Sequence, residues 1–257
     1  MPKAAFAVAA HPDDVEFMMA GTLLLLGRAG YELHYMTVAN GSCGSASVGA
    51  EEIAATRAAE ARAAAGVLGA AYHGPLVDDF QIHYTPALTA RLCAIVREVE
   101  PEIVLIPSPA DYLEDHVNVS RLMATAAFCR NMPNFPTDPP AGAVHSHVAL
   151  YHAMPAGLRD QLRRPVLPDF CVDVADVLDA KRAALACHAS QKEWLDRTQG
   201  MDSYLAAMEA LAAQVGRMSG RFSHAEGWQR HLHFGFGPED FDPLCDALGE
   251  AVHWLTR

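Results

Sequence analysis

Ala9-Ala10-His11-Pro12-Asp13-Asp14-Val15-Glu16 directly follows the apolar run Ala4-Ala5-Phe6-Ala7-Val8, and this junction decides how the chain reads. The run has the length and composition of a buried strand. An amphipathic helix from Glu16 to Ala29, closed by Gly30, is expected after it. An imidazole and two carboxylates therefore fall where a parallel strand hands over to a helix, the edge at which open α/β sheets bind ligands. A structural turn needs at most one Asp, so three metal-capable side chains this close together point to half of a metal site. Pro12 stiffens the turn by fixing its own φ and pushing His11 toward an extended backbone.

Outward from this junction, strands and helices alternate. A second strand is expected over Glu32 to Ala39, ending in the small-residue loop Asn40-Gly41-Ser42-Cys43-Gly44. That loop lacks the Lys and the spacing of a P-loop. The Ala-rich segment Ala50 to Leu68 favours a helix, with Gly69 as its stop. Arg57 and Glu60 sit three apart on it, a spacing at which a solvated salt bridge could form. A short third strand, Ala71 to His73, precedes a loop with two acids, Leu76 to Phe80. Thr85 caps a helix that has Pro86 at its first position and runs to about Val99. Ile103 to Ile106 is the clearest buried strand, followed by Pro107 to His116 and a helix from about Val117 to Arg130.

The alternation implies right-handed crossovers and an α/β fold: a Rossmann-like doubly wound sheet, mostly parallel, of order 3-2-1-4-5. Strands one and four are then neighbours at the switch point, which brings His11 and Asp14 to one crevice with Asp115 and His116. A fifth strand is expected at His147 to His152 and a short one at Phe170 to Val172. C-terminal helices are expected over Val174 to Ala189, Asp202 to Gly216 and Phe241 to Trp254. No repeat or linker divides the chain, so residues 1–257 read as a single domain. The loops Ser42 to Gly49, Asn131 to Ser146 and Ala153 to Pro168 are expected to shape the crevice.

The chain is 51% hydrophobic and 19% charged, which supports an ample core. Its formal net charge of -12 argues against a nucleic-acid partner, which needs a basic face. The six cysteines form no C-x-x-C pair and read as reduced thiols, so a cytoplasmic setting is expected. The apolar start superficially resembles a leader, but cleaving it would remove the His-Pro-Asp-Asp chemistry. No run approaches a membrane span. No membrane partner is expected.

Two imidazoles and a carboxylate, His11, His116 and Asp14, suit zinc with an open position. Iron or cobalt would also be accepted. Asp13, between two proposed ligands, is placed to take a proton from a zinc-bound water as general base. Asp115 is a natural partner for the distal N–H of an imidazole. A dinucleotide-binding oxidoreductase would need G-x-G-x-x-G at the first turn, where this chain puts negative charge. A two-metal phosphoesterase would need further ligands.

His-Pro-Asp-Asp-Val-Glu at residues 11–16, Arg57 with Glu60 before Leu68-Gly69, and Asp115-His116 together resemble the PIG-L/LmbE-like family of zinc-dependent N-deacetylases. Lys181 with His188, Ser190 and Gln191, and Ala225-Glu226, extend the resemblance over nearly the whole chain. It implies a hydrolase that removes an acetyl group from an N-acetylated amino sugar or related small amide. His11, Asp14 and His116 would bind Zn2+, and Asp13 would act as general base and then general acid. Arg57 would face the crevice and hold the sugar or a phosphate, while Asn40 and Asp79 would bind hydroxyls. A homo-oligomer would be in keeping with the family.

One position departs from the family pattern. Many members read His-Pro-Asp-His in the second motif, and their first His helps stabilise the oxyanion; here Leu113 stands in its place. Loss of one such donor costs about 2.7–4 kcal/mol. Either another group substitutes, with His188 the first candidate and His152 the second, or the zinc carries the oxyanion alone. The alternative function is a catalytically weakened homologue that binds metal and ligand.

Overall fold

The computed structural model describes residues 3–192 and 204–256. The first strand, β1 (Ala4–Ala9), is buried along its whole length. Its alternate residues serve two cores: Ala5, Ala7 and Ala9 pack on one side of the sheet, Phe6, Val8 and Ala10 on the other. A strand covered on both faces reads as a continuous apolar run, which is why the alternation of a half-exposed strand is missing.

The parallel half of the sheet follows the expected order. β2 (Glu32–Thr37) and β4 (Ile103–Ile106) flank β1, β3 (Ala71–His73) pairs with β2, and β5 (Ala149–Ala153) pairs with β4, all parallel. The helices α1 (Asp14–Met18), α2 (Ala20–Arg28) and α3 (Ala50–Leu68) cover one face. The helices α4 (Pro86–Val99) and α5 (Glu114–Cys129) cover the other. Two termini follow their sequence signals closely. Gly69 closes α3 at φ 69, and the Thr85 side chain accepts the Leu88 N–H at the start of α4, with Pro86 at its first position.

The sheet continues beyond β5, which corrects the five-strand order. β6 (Phe170–Asp173), β7 (Ala225–Arg230) and β8 (Val252–Trp254) extend it to β3-β2-β1-β4-β5-β7-β6-β8, with every pairing after β5 antiparallel. The expected helix over Phe241 to Trp254 is instead a short one, α8 (Pro243–Leu248), followed by β8. The helix α6 (Leu178–Leu185) lies within the expected Val174 to Ala189, and α7 (Tyr204–Ser219) matches the next.

The expected helix from Glu16 to Ala29 breaks at Met19, where φ is -133. The break lets the buried Glu226 of β7 accept the Gly21 N–H at 2.8 Å and the Thr22 N–H at 2.7 Å. A carboxylate at a helix N-terminus satisfies otherwise orphaned donors and meets the positive end of the dipole. Lys181 of α6 completes this buried cluster, its Nζ 2.5 Å from Glu226 Oε1.

The segment after α5 is held at the far end of that helix from the crevice. Buried Arg97 donates to the carbonyls of Cys129, Arg130, Met132 and Ala141, and Arg130 donates to Ser146 and Phe236. Among the described residues no helix is long and apolar enough to cross a membrane.

Candidate active site

The His-Pro-Asp-Asp turn leaves β1 and enters α1 at once, so its side chains open at the carboxyl edge of the sheet. The His11 N–H donates to Asp14 Oδ2 at 2.8 Å, closing the turn. Asp13 sits at φ 106, a left-handed conformation that costs an L-residue energy. Its neighbours hold it there. The Tyr204 hydroxyl donates to Asp13 Oδ2, and Arg57 Nη2 donates to the Pro12 carbonyl at 2.5 Å while standing 3.5 Å from Asp13 Oδ1.

The donor atoms of His11, Asp14 and His116 lie within 4.8 Å of one another. Asp14 Oδ2 stands 3.2 Å from His116 Nε2 and 3.5 Å from His11 Nδ1. The far nitrogen of each ring faces a carboxylate. His11 Nε2 lies 2.9 Å from Asp115 Oδ2, and His116 Nδ1 lies 3.0 Å from Asp111 Oδ1. Such carboxylates select the tautomer and leave His11 Nδ1 and His116 Nε2 as the atoms able to bind a metal. Two neutral nitrogens and one carboxylate oxygen, each fixed from behind, fit a divalent transition metal with room for water or substrate. Among the described residues no other three His, Cys, Asp or Glu converge in this way.

The electrostatics follow from burial and pairing. Burial alone would lower His11, but Asp115 and Asp14 carry it up to about 9, and His116 is likewise raised by Asp14 and Asp111 against its burial. Burial pushes Asp13 up to about 6 despite the pull of Arg57. Asp115, although burial works against ionisation, is held below the usual carboxylate range by His11 and by the Phe80 N–H.

A cavity of about 370 Å³ opens over these groups. Beside the ligands and Asp13 it is lined by Arg57, Asp79, Gln191, Cys43 and Gly44, and by Phe17, Met18, Phe80, Tyr112, Leu113 and Leu211. Of the loops expected to shape it, Ser42 to Gly49 contributes Cys43 and Gly44, and Ala153 to Pro168 contributes Ala156. Asn131 to Ser146 contributes none, because the two arginines hold it at the opposite end of α5.

Several expected roles change. Arg57 is buried against the turn and the glycine loop; it does not pair with Glu60. Glu60 instead accepts from Ser190, at 2.9 Å from its N–H and 2.6 Å from its hydroxyl. Asp79 lines the cavity but spends its carboxylate on the N–H groups of Gly41 and Cys43. Asn40 is outside the lining, donating to Asp78 and accepting from the Ser42 N–H. His188 does not reach the crevice surface. It is fully buried, with Nε2 3.2 Å from Glu16 Oε1, a pairing that raises its pKa against burial. His152 is also absent from the lining; it contacts His231 and is pushed down to about 4, chiefly by burial. Neither histidine lines the cavity, whereas the apolar side chain of Leu113 does.

Asp111 and Tyr204 are the functional residues that sequence reasoning missed. Asp111 sat in view within the loop before His116, but nothing in its spacing marks it as that imidazole's partner. Tyr204 is one of many apolar-face positions on a C-terminal helix. Of the three tryptophans, Trp228 is buried with its Nε1 donating to Thr22, Trp254 packs at a tilt against Phe170, and Trp194 lies outside the described residues.

A Rossmann-like sheet with a His-Asp-His group at its switch point and an aspartate beside it is an α/β framework able to hold a metal at its ligand-binding edge. Residues 6–127, which carry both halves of the group, match the family described as PIG-L: GlcNAc-PI de-N-acetylase. Over those residues the chain is similar to the PIG-L-type de-N-acetylases. It is 27% identical to diacetylchitobiose deacetylase of Thermococcus kodakarensis over 88% of this chain and 82% of that protein. It is also 27% identical to 4-oxalmesaconate hydratase of Pseudomonas putida, over 74% of each. Among solved structures, the 4-carboxy-2-hydroxymuconate hydratase GalB of Pseudomonas putida superposes with a TM-score of 0.74 at 24% identity, covering 89% of this chain and 95% of that one.

Proposed function

We propose that the protein is a zinc-dependent hydrolase, built as one domain over residues 1–257, that removes an acetyl group from an N-acetylated amino sugar or related small amide. The observation that carries this reading is Asp13, strained at φ 106 and gripped by Tyr204 and Arg57 beside the His11, Asp14 and His116 ligand set. Strain of this kind persists only where the surroundings over-determine it, and it concentrates at reacting centres.

A divalent cation held by His11, Asp14 and His116 would lower the pKa of water and polarise the amide carbonyl. Asp13 takes the proton from the attacking water and returns it to the leaving nitrogen. A carboxyl raised by burial toward neutrality suits both halves of that exchange. Asp115 and Asp111 act through the imidazoles, fixing which nitrogen each presents. Arg57 holds the turn in register, and Asp79 keeps the Gly41 to Gly44 loop against the cavity.

The charge of the cavity favours the deacetylase reading over water addition to a carboxylated substrate. Three aspartates line it, while Arg57, the one Lys or Arg among the described lining residues, is committed to the Pro12 carbonyl and Asp13. A polyanion would find no free cation there except the metal.

The test is acetate release by zinc-loaded protein from N-acetylglucosamine glycosides and N,N'-diacetylchitobiose, beside hydration of an unsaturated dicarboxylate. The reading requires amide hydrolysis that chelation abolishes and zinc restores. Hydration without deacetylation would overturn it.

A further inference from the structure

Two large aromatic side chains stand in solvent at the mouth of the site. Phe80 is 55% exposed and Tyr112 56% exposed, although both line the cavity. The Phe80 ring lies 6.5 Å from that of His11, and the Tyr112 ring 5.8 Å edge-on from that of His116. Each ligating imidazole thus has one exposed aromatic beside it.

Phe80 is unusual in a second way. Its φ is 60, the left-handed region that suits glycine or asparagine and strains a bulky side chain. With more than half its surface in water, the ring gains too little packing to explain its presence there. The backbone is nonetheless fixed: the Phe80 N–H donates to Asp115 Oδ2 at 2.9 Å, the same oxygen that holds His11. One carboxylate therefore sets both the metal ligand and the aromatic ring. An observed strain at an exposed residue beside a reacting centre is a pointer to ligand contact.

The geometry points to Phe80, with Tyr112, as a platform on which a pyranose ring of the substrate packs. This inference rests on the reading of the site as an N-acyl amino-sugar hydrolase and adds what the sugar touches. The apolar C–H face of a pyranose carries partial positive charge that matches the negative face of an aromatic ring. Its hydroxyls project from the perimeter, toward water or toward polar walls such as Gln191. An acyl chain would call for an enclosed apolar slot, whereas both rings are open to solvent. Three aspartates in the lining select for an uncharged sugar over a phosphorylated one.

The experiment compares wild type with Phe80→Gly, Phe80→Trp and Phe80→Leu on a matched pair of amides: methyl N-acetyl-β-glucosaminide and an acyclic N-acetyl amino alcohol. Phe80→Gly should shift the ratio of the two KM values by about two- to tenfold against the glycoside, of the order expected for losing an aromatic contact. Phe80→Trp should keep the wild-type ratio and Phe80→Leu should not, since planarity is what stacks. Thermal unfolding supplies the second readout. Glycine relieves the strain at φ 60, so Phe80→Gly should hold or raise the melting temperature while losing affinity. A lowered melting temperature with both KM values moved alike would make Phe80 a structural residue and overturn the platform. If wild type hydrolyses neither amide, the hydrolase reading fails separately. The platform is then decided by calorimetry with the methyl glycoside, where equal affinities for wild type and Phe80→Gly would refute it.

Discussion

Leu113 stands where the resembled family pattern has a histidine, and it lines the cavity with nothing to donate. Restoring the donor is therefore a direct probe of chemistry. Leu113→His should raise kcat on an N-acetyl sugar by about tenfold or more, short of the ~10²–10³ that a fully preorganised donor is worth. An unchanged kcat would show that another group already holds the oxyanion. At the same scale, His11 sets a pH dependence. In the metal-free protein its two carboxylate neighbours raise it to about 9 against burial, so it carries a proton at neutral pH. Zinc bound there would displace that proton, and calorimetry should find zinc affinity rising with pH through about 9, with protons released to buffer, since His116 is raised as well. The folding linkage has the matching sign. A folded-state pKa above the unfolded 6.5 stabilises the metal-free chain fully below 6.5, and that contribution is lost as pH rises through about 9.

Between elements, the cluster of Glu226, Lys181 and the start of α2 ties the antiparallel half of the sheet to the helices that follow the His-Pro-Asp-Asp turn. Glu226→Ala strips the cap from Gly21 and Thr22 and leaves Lys181 buried without its partner. Denaturant unfolding should show a loss of about 3–5 kcal/mol, the cost of breaking a buried pair. Gly21 permits the close approach: an added Cβ would lie 2.5 Å from Val174 Cγ1 and 2.9 Å from Glu226 Oε1. Gly21→Ala should accordingly destabilise by about 1–3 kcal/mol through overpacking. These contacts give Lys181 and Glu226, met in the sequence only as parts of a family resemblance, a physical task. They hold the framework of the site without touching its chemistry.

Across the whole molecule, the legible part of the sequence was its parallel half. Continuous apolar runs such as Ile103 to Ile106 and clear stops such as Gly69 marked the elements, and the handedness of crossovers then fixed which turns meet. That logic places His11, Asp14 and His116 in one crevice from the sequence alone. The antiparallel half was illegible for local reasons. β7 reads Ala-Glu-Gly-Trp-Gln-Arg, in which the buried Glu and Gly break the apolar signal, and the three residues of β8 are too short to compete with the helical pattern before them. Long-range partners were equally hidden. Tyr204 meets Asp13 only because α7 packs beside α6 and β7, and His188 meets Glu16 under the surface it was expected to line.

The central claim is that Asp13 moves the proton while its neighbours hold the metal. The most direct measurement is metal stoichiometry and acetate release for Asp13→Asn beside wild type. The account predicts zinc retained at the wild-type ratio and turnover lowered by about 10²–10⁴-fold, the worth of a positioned base. Turnover close to wild type with zinc still bound would contradict it.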